Sequence, residues 1–196
     1  MSPSSASPFE TFCDVVRAMA RELDLATLLP LICRKAVEAT PAGAACLRLL
    51  EPESGELRLA ACHGLSDAYV DKGPVHSDRS LGEVLKGEPV FVADAWSDPR
   101  VEYPEANRAE GIRSILSVPL ALRGEVVGEL RLYYREPASP EPGEVRFASL
   151  LAEQAALAIE NARLIQMLRE MRDGAVRRSS ERLAAMSYYE PPGGCR

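Results

Sequence analysis

Two alternating apolar runs, at 113–122 and 125–134, are separated only by Arg123-Gly124, and a helical pattern then runs from 144 to 171. A two-residue connection rich in left-handed propensity joins neighbouring antiparallel strands and little else. The chain must therefore build a hairpin that feeds a long helix, and such a helix needs a sheet face or a second helix against which to bury its apolar side. Immediately upstream the pattern predicts a helix turn at 81–86, a short strand at 89–92 and an acidic loop at 93–100 holding Asp94, Trp96 and Asp98-Pro99. A short helix at 103–110 follows, stopped by Gly111. Nothing in that stretch carries the residue sets of a catalytic centre.

The N-terminal half predicts two helices followed by a hairpin, with no internal repeat. Phe9, Phe12, Val16, Met19, Ala20 and Leu23 fall at spacings of three and four, which marks one face of a first helix. Asp24 is placed to cap a second helix starting at Leu25, with Leu28, Leu29, Ile32, Ala36 and Val37 on its apolar side. Pro30 lies in its first turns, where the cost of the missing N–H is smallest. Strands at 44–50 and 56–63 flank Pro52-Glu53-Ser54-Gly55 and are expected to pair as a hairpin. Strict alternation would place Leu47 and Leu49 on one face with Cys46 and Arg48 on the other. In the second strand it would set Arg58, Ala60 and Cys62 against Leu57, Leu59, Ala61 and His63. A short helix at 64–72 and a polar loop at 73–80 complete the connection.

With 196 residues and 46% hydrophobic content, one domain with extensions is expected to bury a full core. A formal charge of -6 opposes attraction to nucleic acid and to anionic lipid, so neither is expected as a partner. Residues 1–8 lack the cationic and apolar segments of a secretory signal, and no run approaches the length of a membrane span; a cytoplasmic location is expected. The five cysteines, Cys13, Cys33, Cys46, Cys62 and Cys195, show no Cys-x-x-Cys spacing. They read as small buried hydrophobes, and no metal site is expected.

Along the C-terminal helix Leu150, Leu157, Leu164 and Met171 recur every seven residues, with Gln154, Asn161, Leu168 and Ala175 as the companion row. This is a heptad seam, and Asn161 at a core position favours a parallel dimer in one register. A second stripe, Leu151, Ala155, Ala158, Ala162 and Ile165, is available to pack on the sheet. The expected organisation is a tail at 1–8, a domain at 9–171 that includes the dimerisation helix, and a helical extension with a tail at 172–196.

Several motifs occur in a fixed order. Gly87-Glu88-Pro89-Val90 turns into a strand, followed by Asp94 and Asp98-Pro99-Arg100. Then come Gly111-Ile112-Arg113-Ser114-Ile115-Leu116-Ser117-Val118-Pro119-Leu120, Val127-Gly128-Glu129-Leu130, and the helix from Leu151 to Ala162. In order and spacing, over about 9–168, these resemble the GAF domain family of small-molecule-sensing modules. The resemblance implies an α+β fold: a central antiparallel sheet of about five to six strands, N- and C-terminal helices on one face, and a loop-covered pocket on the other. The activity it implies is non-catalytic sensing of an unknown small molecule, as a homodimer acting through a signalling partner. It does not name a ligand or cofactor. The stretch 182–192 faintly resembles the approach to a histidine kinase phosphoacceptor, but Tyr188 stands where the histidine is expected, and no ATP-binding domain follows. A stand-alone sensor or a fragment of a larger protein both fit.

On that architecture the pocket candidates are Arg48, Cys62, Leu81, Phe91, Trp96, Tyr103, Ile115, Ser117, Glu129, Arg131 and Tyr133. The dimer candidates are Leu150, Gln154, Leu157, Asn161, Leu164, Leu168 and Met171. Two arginines and a glutamate under a pocket would be costly to bury unpaired. Either Glu129 pairs with Arg48 or Arg131, or an arginine is left to hold an anion. Trp96 and Tyr103 either stack on a ligand or close the cover on the core. Cys46 and Cys62, adjacent across the hairpin, offer an alternative thiol redox or methionine sulfoxide reductase-like reading, although the region 64–134 lacks the cysteines of that relative. Cys62-His63 lies far upstream of the tetrapyrrole attachment segment, His63 and His76 lack a second axial partner for haem, and the Asn-Lys-Phe-Asp-Glu signature of cyclic-nucleotide binders is missing. A structural dimerisation element with a collapsed pocket is the third reading.

Overall fold

The computed structural model describes residues 7–21, 24–76, 82–137 and 139–187. Leu81, Leu23, Tyr188 and Cys195 lie outside them, and only the backbone is described at Ala20, at Gly82 and over 175–187. The elements in order are α1 (Pro8–Arg21), α2 (Leu25–Glu38), β1 (Ala44–Leu50), β2 (Leu57–His63), α3 (Asp67–Val70), a 3₁₀ turn (Gly82–Lys86), β3 (Val90–Val92), α4 (Pro104–Glu110), β4 (Ser114–Leu122), β5 (Glu125–Tyr134) and α5 (Pro142–Ser187).

The strands form one antiparallel sheet in the order β2-β1-β5-β4-β3. At the β4–β5 turn both Arg123 (φ 54°) and Gly124 (φ 87°) are left-handed, the conformation that matches the twist of a two-residue hairpin. Asp24 caps α2 by accepting from the Ala26 N–H at 3.2 Å. Gly111, at φ 76°, closes α4.

One sheet face carries Ala45, Leu47, Leu116, Val118, Leu120, Leu130 and Leu132, packed beneath α1, α2 and α5. From α5, Leu151, Ala155 and Ala158 enter this core. The opposite face carries Cys46, Ile115 and Tyr133, covered by Tyr69, Val84, Ala95 and Ile112. The compact unit ends at Ile159; in the second unit, from Glu160 onward, Leu164, Leu168 and Met171 are exposed.

Three expectations about faces are corrected. In β2 the register slips at Leu47/Arg48: Leu47 opposes Ala61 but Arg48 opposes Leu59, so Ala60 is a bulged extra residue. The bulge moves Leu59 to the face of Cys62, where it packs in the second cluster, and leaves Arg58 exposed. In α1 the buried positions are Thr11 and Val15, whereas Phe9 is 74% and Val16 41% exposed. The helical period identifies a stripe but not which neighbour it meets. In β3, Phe91 packs with the helix-side core and Val90 and Val92 take the other face, since Phe91 opposes Leu116.

Candidate functional site

The second sheet face is polar at its centre. Residues 46, 48, 129, 131 and 133 share it because alternation on β1 and β5 keeps them together: Cys46 opposes Arg131, and Arg48 opposes Glu129. Arg48, Glu129 and Arg131 are all buried. Glu129 accepts an ion pair from Arg131 Nε at 2.6 Å and a hydrogen bond from Ser117 Oγ at 2.5 Å. Of the two arginines, Arg131 takes the carboxylate. Arg48 instead donates from a terminal nitrogen to the Leu57 carbonyl at 3.0 Å, which spans the bulged strand. Its Nε has no acceptor among the described residues.

Around this floor stands an aromatic and thiol layer. Tyr133 Oη and Cys46 Sγ are 3.2 Å apart, and the Tyr69 ring meets Tyr133 edge-on at 5.7 Å between centroids. Burial holds the Tyr133 hydroxyl well above the ordinary phenol range. Tyr69 Oη donates to Asn107 Oδ1 at 2.6 Å, and Asn107 Nδ2 donates to the Ala95 carbonyl at 3.4 Å, so a buried amide ties α3 to α4. Lys72 lies over the Tyr69 ring at 3.7 Å and donates to the Tyr69 carbonyl at 3.1 Å. Burial, and after it repulsion from Arg48, lowers the Lys72 ammonium to about 8. Tyr103 Oη donates to the Pro74 carbonyl, closing the segment 73–76 over the site. His76 is held by Glu102, through its backbone N–H at 3.0 Å and through Nδ1 at 3.1 Å.

The remaining cavity is only about 10 Å³, lined by Tyr69, Lys72, Val75, Tyr103, Ile115 and Arg131 among others. That is room for about one water, against the several hundred Å³ of an ordinary ligand site. In this conformation the site is closed. A larger cleft of about 1020 Å³ lies elsewhere, between the start of α1, the end of α2 and the 135–144 connection, away from the charged face.

The sheet face thus gathers Arg48, Cys62, Ile115, Ser117, Glu129, Arg131 and Tyr133 from the candidates, with Tyr103 in the cover. Phe91 is on the helix side, and Leu81 is outside the described residues. Trp96 does not line the cavity: its ring lies beneath the Arg113 guanidinium at 3.8 Å, with Arg108 at 5.5 Å. Asp94 and Asp98 are turn-formers, Asp94 accepting from Trp96 N–H and Ser97, Asp98 from Arg100. Sequence reasoning missed Tyr69, Lys72, Val75, Glu102 and Asn107, which sit on short cover elements with no periodicity to orient them. Cys46 and Cys62 oppose one another across β1 and β2, as the hairpin pattern predicts. Cys46 is fully buried, and burial pushes the Cys62 thiol up, away from the thiolate that attacks.

Comparison with known proteins places this geometry. The model of a family described as GAF domain matches residues 22–160. The methyl sulfide methyltransferase-associated sensor of Methanosarcina acetivorans is 26% identical over 187 residues, covering 92% of this chain but only 19% of its own length. Among solved structures, the GAF domain of a phosphoenolpyruvate-protein phosphotransferase from Coxiella burnetii superposes with a TM-score of 0.72 at 24% identity, over 84% of this chain and 99% of that one. Free methionine-R-sulfoxide reductase from Neisseria meningitidis, solved with its substrate, gives 0.69 at 22% identity, over 84% and 95%. At these identities the solved structures speak for the fold.

Proposed function

The chain belongs to the GAF domain family, and from that premise we propose that it is a non-catalytic small-molecule-sensing module that dimerises through its terminal helices and signals through a partner protein. The family is one of sensory, ligand-binding signalling domains, and a relative is named as a sensor. The observation that carries the reading is the charged floor of the second sheet face. A domain that needed only a core would fill that face with apolar side chains, whereas here Arg48, Glu129 and Arg131 are buried beneath a cover made of short elements.

Sensing works by population shift. A ligand on this face favours the state in which 73–76 and 103–111 are arranged around it, and it moves the equilibrium only by its difference in affinity for the two states. The change passes through the sheet to the α5 segment packed on the other face. Exposure of Leu150 (36%), Leu157 (40%), Leu164 (44%) and Met171 (70%), together with Phe9 and Val16 of α1, supports a helix-mediated dimer. Light scattering of the full chain and of Asn161→Leu tests this: the wild type runs as a dimer, and the variant changes oligomeric state or tightens. Monomers in both would end the dimer claim.

The closed cavity of about 10 Å³ favours a second reading, a structural dimerisation module whose sheet face is permanently filled. It predicts the same dimer with no response to any small molecule.

A further inference from the structure

The polar floor of the site is unequally satisfied. Arg131 is matched by Glu129, and Glu102 is engaged by His76. Arg48 and Lys72 are the exceptions: among the described residues no carboxylate lies within 4 Å of either. Each is held by a backbone carbonyl, Leu57 for Arg48 and Tyr69 for Lys72, and Lys72 has in addition the face of the Tyr69 ring. Arg48 is 4% exposed, and its Nε–H has no acceptor among the described residues.

A guanidinium so deeply buried, with an unused donor and attracted only by a carboxylate already bonded to Arg131 and Ser117, is a costly arrangement. The cost is compounded by position, because Arg48 and Lys72 repel one another and Arg131 adds a third positive charge. The nearest buried carboxylate, Glu129, stands opposite Arg48 in the sheet register yet is committed to Arg131 and Ser117. Glu110, which attracts Lys72 from α4, is itself held by the Ser66 N–H and hydroxyl. A negatively charged ligand group would offset this concentration of positive charge, and a guanidinium is suited to receive one through two parallel bonds.

Resting on the sensor reading above, we infer that Arg48 and Lys72 form the recognition site for a small oxyanion, a carboxylate or phosphate group, which enters by displacing the Lys72–Tyr103 cover. The ligand is small, because the cavity beside Arg131 is closed and only the short cover 72–76 has to move. Tyr69, Tyr133, Cys46 and Leu59 supply apolar walls around the charged end. Tyr103 is the latch, since its hydroxyl is bonded to Pro74 in the closed state.

The test uses the full chain. Sodium acetate, sodium succinate and inorganic phosphate are titrated separately against sodium chloride at matched ionic strength, with the unfolding midpoint and native mass spectra as readouts. The expected result is a saturable rise in midpoint, about 5–10 °C at a hundredfold excess over Kd, with at least one oxyanion and not with chloride. A response to acetate or succinate alone assigns a carboxylate, and a response to phosphate alone assigns a phosphate group. Arg48→Met abolishes the response and Lys72→Met weakens binding at least tenfold. Should Arg48→Met fail to fold, Arg48→Lys and Lys72→Met carry the test, because both weaken the response if these cations hold the anion. No oxyanion response beyond chloride, or responses unchanged in the variants, overturns the inference. If the protein instead carries an uncharged small molecule, the sensor reading stands and the oxyanion assignment falls; if nothing of either kind binds, both fall.

Discussion

Breaking the buried ion pair from its two ends should not cost the same. Glu129 is fully buried and Arg131 is 5% exposed, and the pair closes at 2.6 Å. Removing one partner of such a pair leaves an uncompensated charge, a loss of about 3–5 kcal/mol. The surroundings make the two ends unequal. After Arg131→Met, Glu129 still faces Arg48 across the β1–β5 register and still accepts from Ser117. After Glu129→Gln, Arg131, Arg48 and Lys72 remain together with no buried carboxylate between them. Glu129→Gln should therefore fall near the top of that range and Arg131→Met near the bottom. For a domain of this size each kcal/mol moves the midpoint by roughly 2–4 °C, so the first variant should melt roughly 10–20 °C lower and the second roughly 6–12 °C lower. The double variant should cost less than the sum of the singles by about 1–3 kcal/mol, the coupling expected of residues in direct contact. Urea and thermal unfolding of the four proteins give the cycle. Equal single effects, or additivity in the double variant, would refute the claim that Glu129 is the shared counter-charge of this face.

Two other perturbations follow from the same geometry. A Cβ at Gly128 would stand 2.1 Å from the Arg48 carbonyl, so Gly128→Ala should wedge β1 from β5 and destabilise by about 1–3 kcal/mol in urea melts; Gly143→Ala, which meets nothing within 4 Å, should be neutral or better. Lys72 is brought from the ordinary 10.5 down to about 8 by burial first and Arg48 second, with Arg131 adding repulsion and Glu110 opposing it. Between those values the unfolded chain binds more protons than the folded one, so this group makes stability rise with pH from about 8 to 10.5. Measured against Lys72→Met, the wild type should gain stability across that window; a constant difference would contradict the depressed ammonium.

How much of this was legible in the sequence differs by element. The hairpin at Arg123-Gly124, the cap at Asp24 and the seven-residue row on α5 are local signals, and β1, β5 and the start of α2 fall at the residues the pattern indicates. The burial of Arg48, Glu129 and Arg131 on one face also follows from alternation alone, because β1 and β5 pair without interruption along that stretch. What alternation cannot foresee is the bulge at Ala60, which re-aims Leu59, or which arginine Glu129 selects, since both lie one residue step away on the same face. The cover was the least legible part. Tyr69 bonds Asn107 across 38 residues of chain and Tyr103 bonds Pro74 across 29, and the 3₁₀ turn and α4 are too short to show a period. Phe91 fails for a related reason: in a three-residue strand one residue of register decides the face.

Native mass spectrometry of the full chain, as purified and then with added oxyanions, reads dimerisation and small-molecule binding by this GAF domain together. The expected result is a dimer that carries or acquires non-covalent mass in stoichiometric steps. A monomer would contradict dimerisation, and a dimer that takes up no small molecule would contradict sensing and leave a helix-paired structural module with a permanently closed face.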